Sequence, residues 1–169
     1  MKRNIPRTLL MVFLTTLFVS MVATVKAKGK DPQCTAAGVA GQYGYTYTGT
    51  VILPTGAAVP VASVGRFTLD ATGNLVGSQT RSTGGGIGHE TVTAATSVNA
   101  DCTGTGTFKV FNESGILVRT ATLDLVYDDN EREIRSIFTS LILQPSGTSL
   151  GTVITVDAKK LFPESDNEQ

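Results

Sequence analysis

Apolar and polar residues alternate along most of this chain after about its first forty positions. Tyr43, Tyr45 and Tyr47 fall on one side of the first such run, and Gly44 and Thr46 fall on the other. A period of two is typical of a β-strand with one buried face. The pattern recurs at hairpin spacing, and it indicates strands throughout and no helix. The predicted strands are Tyr43–Leu53, Val59–Leu69, Leu75–Ser82, Ile87–Val98, Thr103–Phe111, Ile116–Tyr127, Glu133–Leu143 and Leu150–Lys160.

Short turn sequences separate these runs. The segment from Asp70 to Asn74 combines side chains that bond their own backbone with Gly73, which tolerates a positive φ. Consecutive strands with short turns predict an all-β fold, an eight-stranded antiparallel up-and-down barrel. Closure removes two exposed sheet edges, and the interior is then filled by side chains or holds one small ligand. A β-sandwich is the alternative, but it usually needs longer crossover connections than this sequence offers.

The sixth and seventh strands are apolar on both faces, which a barrel wall alone does not require. We therefore expect their outer face to be covered, either by the N-terminal segment or by a second copy of the protein. The second option predicts self-association through these two strands. In the sixth strand, Leu117, Leu123 and Leu125 share one face, and Ile116, Val118 and Val126 share the other.

The N-terminus has the order of a secretory signal. Basic residues precede an apolar run from Leu9 to Val25, and Val25-Lys26-Ala27 fits a small-residue cleavage site. We predict a signal peptide over 1–27 and a secreted or periplasmic protein; an uncleaved membrane anchor is the alternative. An N-terminal segment (28–40), a β-barrel domain (41–162) and an acidic disordered tail (163–169) would follow.

Net charge bears on the class of binding partner, and composition bears on the type of secondary structure. Lys plus Arg and Asp plus Glu both number 14, so the net charge is zero. A nucleic-acid partner is not expected, because the basic stripe that such proteins carry is absent. The abundance of Gly, Thr and Val together with the lack of Trp favours strands and turns.

The chain contains two cysteines, Cys34 and Cys102. An even count in an oxidising compartment favours a disulfide, which would join the N-terminal segment to the turn between the fourth and fifth strands. Two free thiols and a metal site are the alternatives. A zinc site needs about four ligands, whereas the sequence offers these two cysteines and a single His. We therefore predict no metal and no cofactor.

Glycine and turn signatures recur along the mature chain. They are Gly41-Gln42-Tyr43, Gly65-Arg66-Phe67-Thr68 with Asp70, Gly73 and Asn74, Asn99, Asp101-Cys102-Thr103-Gly104-Thr105, and Arg119-Thr120-Ala121. With these signatures, the sequence resembles small secreted bacterial proteins of unassigned function over nearly the whole mature chain. More loosely, it resembles calycin-type barrels, such as lipocalins and the allene-oxide-cyclase or dirigent-like barrels. Tyr43 stands where lipocalins place the Trp of Gly-x-Trp.

Two groups of side chains are candidates for ligand binding. The tyrosine stripe 43, 45, 47 would either line a cavity or form an aromatic core row. Arg66, Arg119 and Arg135 lie within strands, where they would either meet the carboxylate or phosphate of a ligand or keep the outer face soluble.

No catalytic residue is assigned. His89 and Glu90 are adjacent, but neighbours on a strand face opposite sides, so an exposed His89 is expected. The function predicted is an exported β-barrel binding or scaffold module that holds a small apolar or amphipathic ligand. A cyclase- or isomerase-like barrel enzyme on a lipid-like substrate and a structural surface protein are the alternatives.

Overall fold

The computed structural model describes residues 33–162, which form one short helix and eight strands. Helix α1 spans Ala36–Val39. The strands are β1 Gly41–Ile52, β2 Ala58–Leu69, β3 Asn74–Thr83, β4 Gly86–Thr96, β5 Thr103–Asn112, β6 Leu117–Asp128, β7 Glu133–Leu143 and β8 Gly151–Lys160. The predicted signal peptide and C-terminal tail lie outside the described residues.

The strands follow one another around a closed antiparallel barrel, in which β8 pairs with β1. The prediction of an eight-stranded up-and-down barrel is confirmed, and the sandwich alternative is wrong. Strand bounds agree with the sequence pattern to within a few residues. The largest differences are of two residues: β1 begins at Gly41 instead of Tyr43, and β4 ends at Thr96 instead of Val98, although Ser97 and Asn99 still donate backbone hydrogen bonds to β5.

A short N-terminal segment closes one end of the barrel. Thr35 caps α1 by accepting a hydrogen bond from the backbone of Gly38. Cys34 forms a disulfide with Cys102 in the β4–β5 turn, and Val39 is buried. Tyr43, which is 0 % exposed, donates its hydroxyl to the carbonyl of Val39 at 2.6 Å. The helix was not predicted, because four residues are too few to show a helical period.

The same segment contacts other strand ends at this closed end. The backbone N–H of Thr35 donates to Glu131 Oε1 at 2.8 Å, and Lys160 Nζ donates to the carbonyl of Gly38 at 2.7 Å. The expectation that this segment covers the outer face of β6 and β7 is therefore wrong for its described part, which lies across the end. On that outer face Val126 remains 49 % exposed, and self-association stays a prediction.

Glycines in the wall make room for aromatic rings inside. A Cβ at Gly65 would lie 2.7 Å from the ring of Tyr45, and a Cβ at Gly106 would lie 2.6 Å from the ring of Phe108. At Gly77 a Cβ would instead lie 2.4 Å from the carbonyl oxygen of Arg66 and 2.7 Å from the Cβ of Phe67. Gly65 and Gly106 therefore leave room for large rings beside bare backbone, an arrangement that a side chain at these two positions would prevent.

Within residues 33–162, no helix is long and apolar enough to cross a membrane.

Candidate functional site

The barrel encloses a cavity of about 80 Å³ between its closed end and its centre. Its walls are inward-facing side chains from all eight strands, and most of them are apolar. Three residues with polar side-chain groups, Tyr45, Gln79 and Arg119, also line the cavity. Among the apolar side chains that line it are Phe67, Leu75, Val92, Phe108, Ala121, Leu123 and Phe138.

An ionic cluster lies inside the barrel, toward the end opposite the helix. Glu90 on β4 is 6 % exposed, and Arg119 on β6 approaches it with both terminal nitrogens. Nη1 of Arg119 donates to Glu90 Oε1 at 2.7 Å, and its Nη2 donates to Oε2. Arg81 on β3 adds a third contact, from Nε to Oε1 at 3.0 Å. Two guanidinium groups therefore share one carboxylate.

Neutral side chains extend this cluster toward the cavity. Gln79 Nε2 donates to Glu90 Oε2 at 2.7 Å. The amide oxygen of Gln79 accepts from the Tyr45 hydroxyl at 2.8 Å, and Ser63 Oγ lies 3.1 Å from it. In the described part of the chain, every fully buried side-chain nitrogen or oxygen has a hydrogen-bond partner. The cluster therefore satisfies the polar groups that the barrel buries, as a stable interior requires.

The charge state of Glu90 follows from these contacts. Burial alone would raise the pKa of this carboxyl, but hydrogen bonds from Arg119 and Gln79 and the charges of Arg119 and Arg81 outweigh burial and lower it. Glu90 is thus an anion at neutral pH. Burial, in turn, raises the pKa of the Tyr45 hydroxyl, which stays a neutral donor. A carboxylate held ionised in this way suits charge pairing better than proton transfer, which needs a pKa near the working pH.

Three of the predicted ligand-binding residues line the cavity. Tyr45, Tyr47 and Arg119 face it from β1 and β6. Of the two alternatives for arginines within strands, a place on the outer face is wrong for Arg119, because β6 turns it inward with Ala121 and Leu123. Tyr43 shares the face of the other two tyrosines, but it fills the closed end, stacked on Phe67 with ring centroids 5.0 Å apart.

The remaining two arginines lie on the outside of the barrel. Arg66 is exposed beside an outer groove of β2 and β3. Arg135 is exposed on β7 and lies 3.5 Å from both Asp128 and Glu133. Neither of them is brought to the interior cavity.

Sequence reasoning passed over two members of the cluster. His89 is exposed, as expected, and its Nδ1 lies 3.1 Å from Thr80 Oγ1. Its neighbour Glu90, by contrast, is inside, and Arg81 reaches Glu90 diagonally across the β3–β4 pair. The alternation of side chains along a strand could have placed both residues inside, because residues two apart share a face. Glu90 is two residues from the buried Val92, and Arg81 is two residues from the buried Gln79. An inward charge on each of two neighbouring strands predicts an interior ion pair.

The disulfide prediction is confirmed by the Cys34–Cys102 bond, which spans 68 residues of sequence. Among the described residues, no group of three or more His, Cys, Asp or Glu side chains is placed to hold a metal ion.

Comparison with known proteins yields no family model that matches and no curated relative. Among solved structures, EF1p2_mFAP2b bound to DFHBI aligns with a TM-score of 0.48 and 9 % identity, covering 75 % of this chain and 99 % of that one. A redesigned β-barrel, mFAP1, bound to DFHBI aligns with a TM-score of 0.45 and 14 % identity, covering 75 % and 98 %.

Proposed function

We propose that this protein is a binding module that holds a small apolar or amphipathic molecule inside its barrel. The observation that carries the proposal is the cavity of about 80 Å³, walled mainly by apolar side chains and bordered at one side by Arg119, Gln79 and Tyr45. An apolar wall with a few converging polar groups is the usual character of a small-molecule site.

The volume limits the size of the ligand. A dry apolar cavity of about 150 Å³ binds benzene, so a smaller space suits a short alkyl chain better than a fused ring system. One end of the barrel is closed by the disulfide-linked segment, and the ligand would enter from the opposite end, where Arg81 and Arg119 lie. A short molecule with an apolar tail and a polar head fits this arrangement.

The test is a titration with 1-hexanol, a neutral probe with an apolar chain and a polar head, followed by amide chemical shifts in NMR. The wild-type protein is expected to show saturable shifts in the inward-facing residues of β4 and β6. Ala121→Leu, which fills part of the cavity, should abolish them. Ala62→Leu, the same change on the exposed outer face of β2, should bind like the wild type. Equal binding by both variants would overturn the interior site.

We further propose that the protein is exported, and the disulfide supports this because such bonds persist in oxidising compartments. N-terminal sequencing of the protein recovered from outside the cytoplasm is expected to begin at Lys28. An N-terminus that still carries Leu9–Val25 would favour the membrane-anchor alternative.

A further inference from the structure

We infer that the cluster of Arg81, Arg119 and Glu90 is the head-group site for a ligand with a single negative charge. The inference rests on the proposed function, since it assigns the chemical class of the molecule whose apolar part enters the cavity. It adds Arg81 and Glu90 to the binding residues. Two guanidinium groups and one carboxylate leave the cluster with one uncompensated positive charge.

Both arginines have N–H donors that no described residue accepts. Both hydrogen bonds of the Arg119 side chain to described residues end on Glu90, which leaves its Nε free. Among the described residues, Arg81 uses Nε for Glu90 and Nη1 for Thr83 Oγ1, and its Nη2 has no partner there. No fully buried polar atom of the described residues is unpaired, so these two N–H groups keep some accessible surface. Charged N–H donors are strong partners for a carboxylate.

The positions of the two arginines also suit a ligand whose tail lies in the cavity and whose head lies toward solvent. Arg119 lines the cavity, and its side chain is 12 % exposed, whereas that of Arg81 is 24 % exposed. Arg81 is therefore nearer to solvent, close to the β3–β4 turn, and Arg119 lies between it and the apolar space. A molecule whose tail occupies the cavity would place its head beside both groups.

Glu90 sets the charge that the site accepts. With Glu90 ionised, one added negative charge neutralises the cluster, and a second would leave a buried excess of negative charge, which is unfavourable. The site should therefore prefer a monoanion to a neutral molecule and to a dianion. Glu90→Gln raises the uncompensated charge by one and should move the preference toward a dianion.

The experiment compares three probes with the same tail near pH 7.5: hexanoate, 1-hexanol and hexyl phosphate, which is mainly dianionic there. The wild type is expected to bind hexanoate about tenfold more tightly than the other two, the order of gain from one charge-assisted contact. Arg81→Gln should lose that advantage while 1-hexanol affinity stays the same. Lys109→Gln, which removes an exposed charge from the outer face of β5, should change nothing.

The other possible results of this experiment contradict either the monoanion site or the cavity proposal. Equal affinity of the wild type for hexanoate and 1-hexanol overturns the monoanion site and leaves the cavity proposal standing. Failure of all three probes to bind overturns both. Glu90→Gln should bind hexyl phosphate more tightly than the wild type does, and an unchanged order of the probes in a folded variant would contradict the role of Glu90. Thermal unfolding shows whether that variant is folded, and Arg81→Gln tests the site independently if it is not.

Discussion

Glu90 compensates the charge of two guanidinium groups inside the barrel, those of Arg81 and Arg119. Removing one partner of a buried pair leaves the other charge without compensation, and this costs about 3–5 kcal/mol. We expect Glu90→Gln to lower the free energy of unfolding by about 3 kcal/mol, since both arginines keep some exposure. Urea unfolding at neutral pH measures this value. Glu113→Gln, in an exposed turn, is the control and should leave it unchanged.

The same residue predicts a pH dependence. The pKa of Glu90 is lowered in the folded protein from an ordinary value of 4.5. Its stabilising contribution is therefore fully present above that value and is lost as the pH falls through the lower folded value. The urea midpoint of the wild type should fall more steeply below about pH 4.5 than that of Glu90→Gln. Parallel curves for the two proteins would contradict the assigned charge state.

Gly65 tests the packing of rings against bare backbone. A methyl group there would lie 2.5 Å from the carbonyl oxygen of Ser78 and 2.7 Å from the Tyr45 ring. We expect Gly65→Ala to destabilise the protein by about 2–3 kcal/mol, as overpacking does. At Gly86 the nearest such atom is 3.4 Å away, so Gly86→Ala should change stability by less than about 0.5 kcal/mol. Thermal unfolding compares the two variants.

At the scale of elements, the closing segment is held by the disulfide and by three hydrogen bonds from different strand ends. A bond that closes a loop of 68 residues stabilises by about 4 kcal/mol in the chain-entropy model. The double variant Cys34→Ser, Cys102→Ser should lose about that amount, and amide exchange over Ala36–Val39 should accelerate more than in β6. Added reductant should shift the wild type toward the double variant and should not affect the variant. An unchanged unfolding free energy would show that the hydrogen bonds alone hold the segment.

The strands and their order could be predicted from the sequence because alternation and turn chemistry are local signals. Tyr43, Tyr45 and Tyr47 were correctly placed on one face, and the Cys34–Cys102 bond followed from compartment and count. The short helix and the end that it closes were beyond such reasoning, since they depend on contacts such as that between Thr35 and Glu131, 96 residues apart.

For the ionic cluster, the sequence predicts which face of its strand each charge occupies, but not the contacts between strands. The alternation of side chains along a strand places Arg119 and Asp124 on different faces of β6, and it turns Glu90 inward with Val92. It does not show which of the inward charges contact one another. The β3–β4 register pairs Glu90 with Gln79 and Arg81 with Gly88, so Arg81 reaches Glu90 on the diagonal, and Arg119 reaches Glu90 across the intervening strand β5. The second contact therefore depends on the pairing of three strands.

For the whole molecule, the central claim is that a small amphipathic molecule binds inside the barrel. The most direct measurement is of intermolecular nuclear Overhauser effects between hexanoate and the methyl groups of the protein. We expect contacts from the alkyl chain to inward methyl groups, such as those of Leu123 and Val92, and none to the outward Val64 and Val126. Contacts to the outward methyl groups alone, or to none, would contradict it.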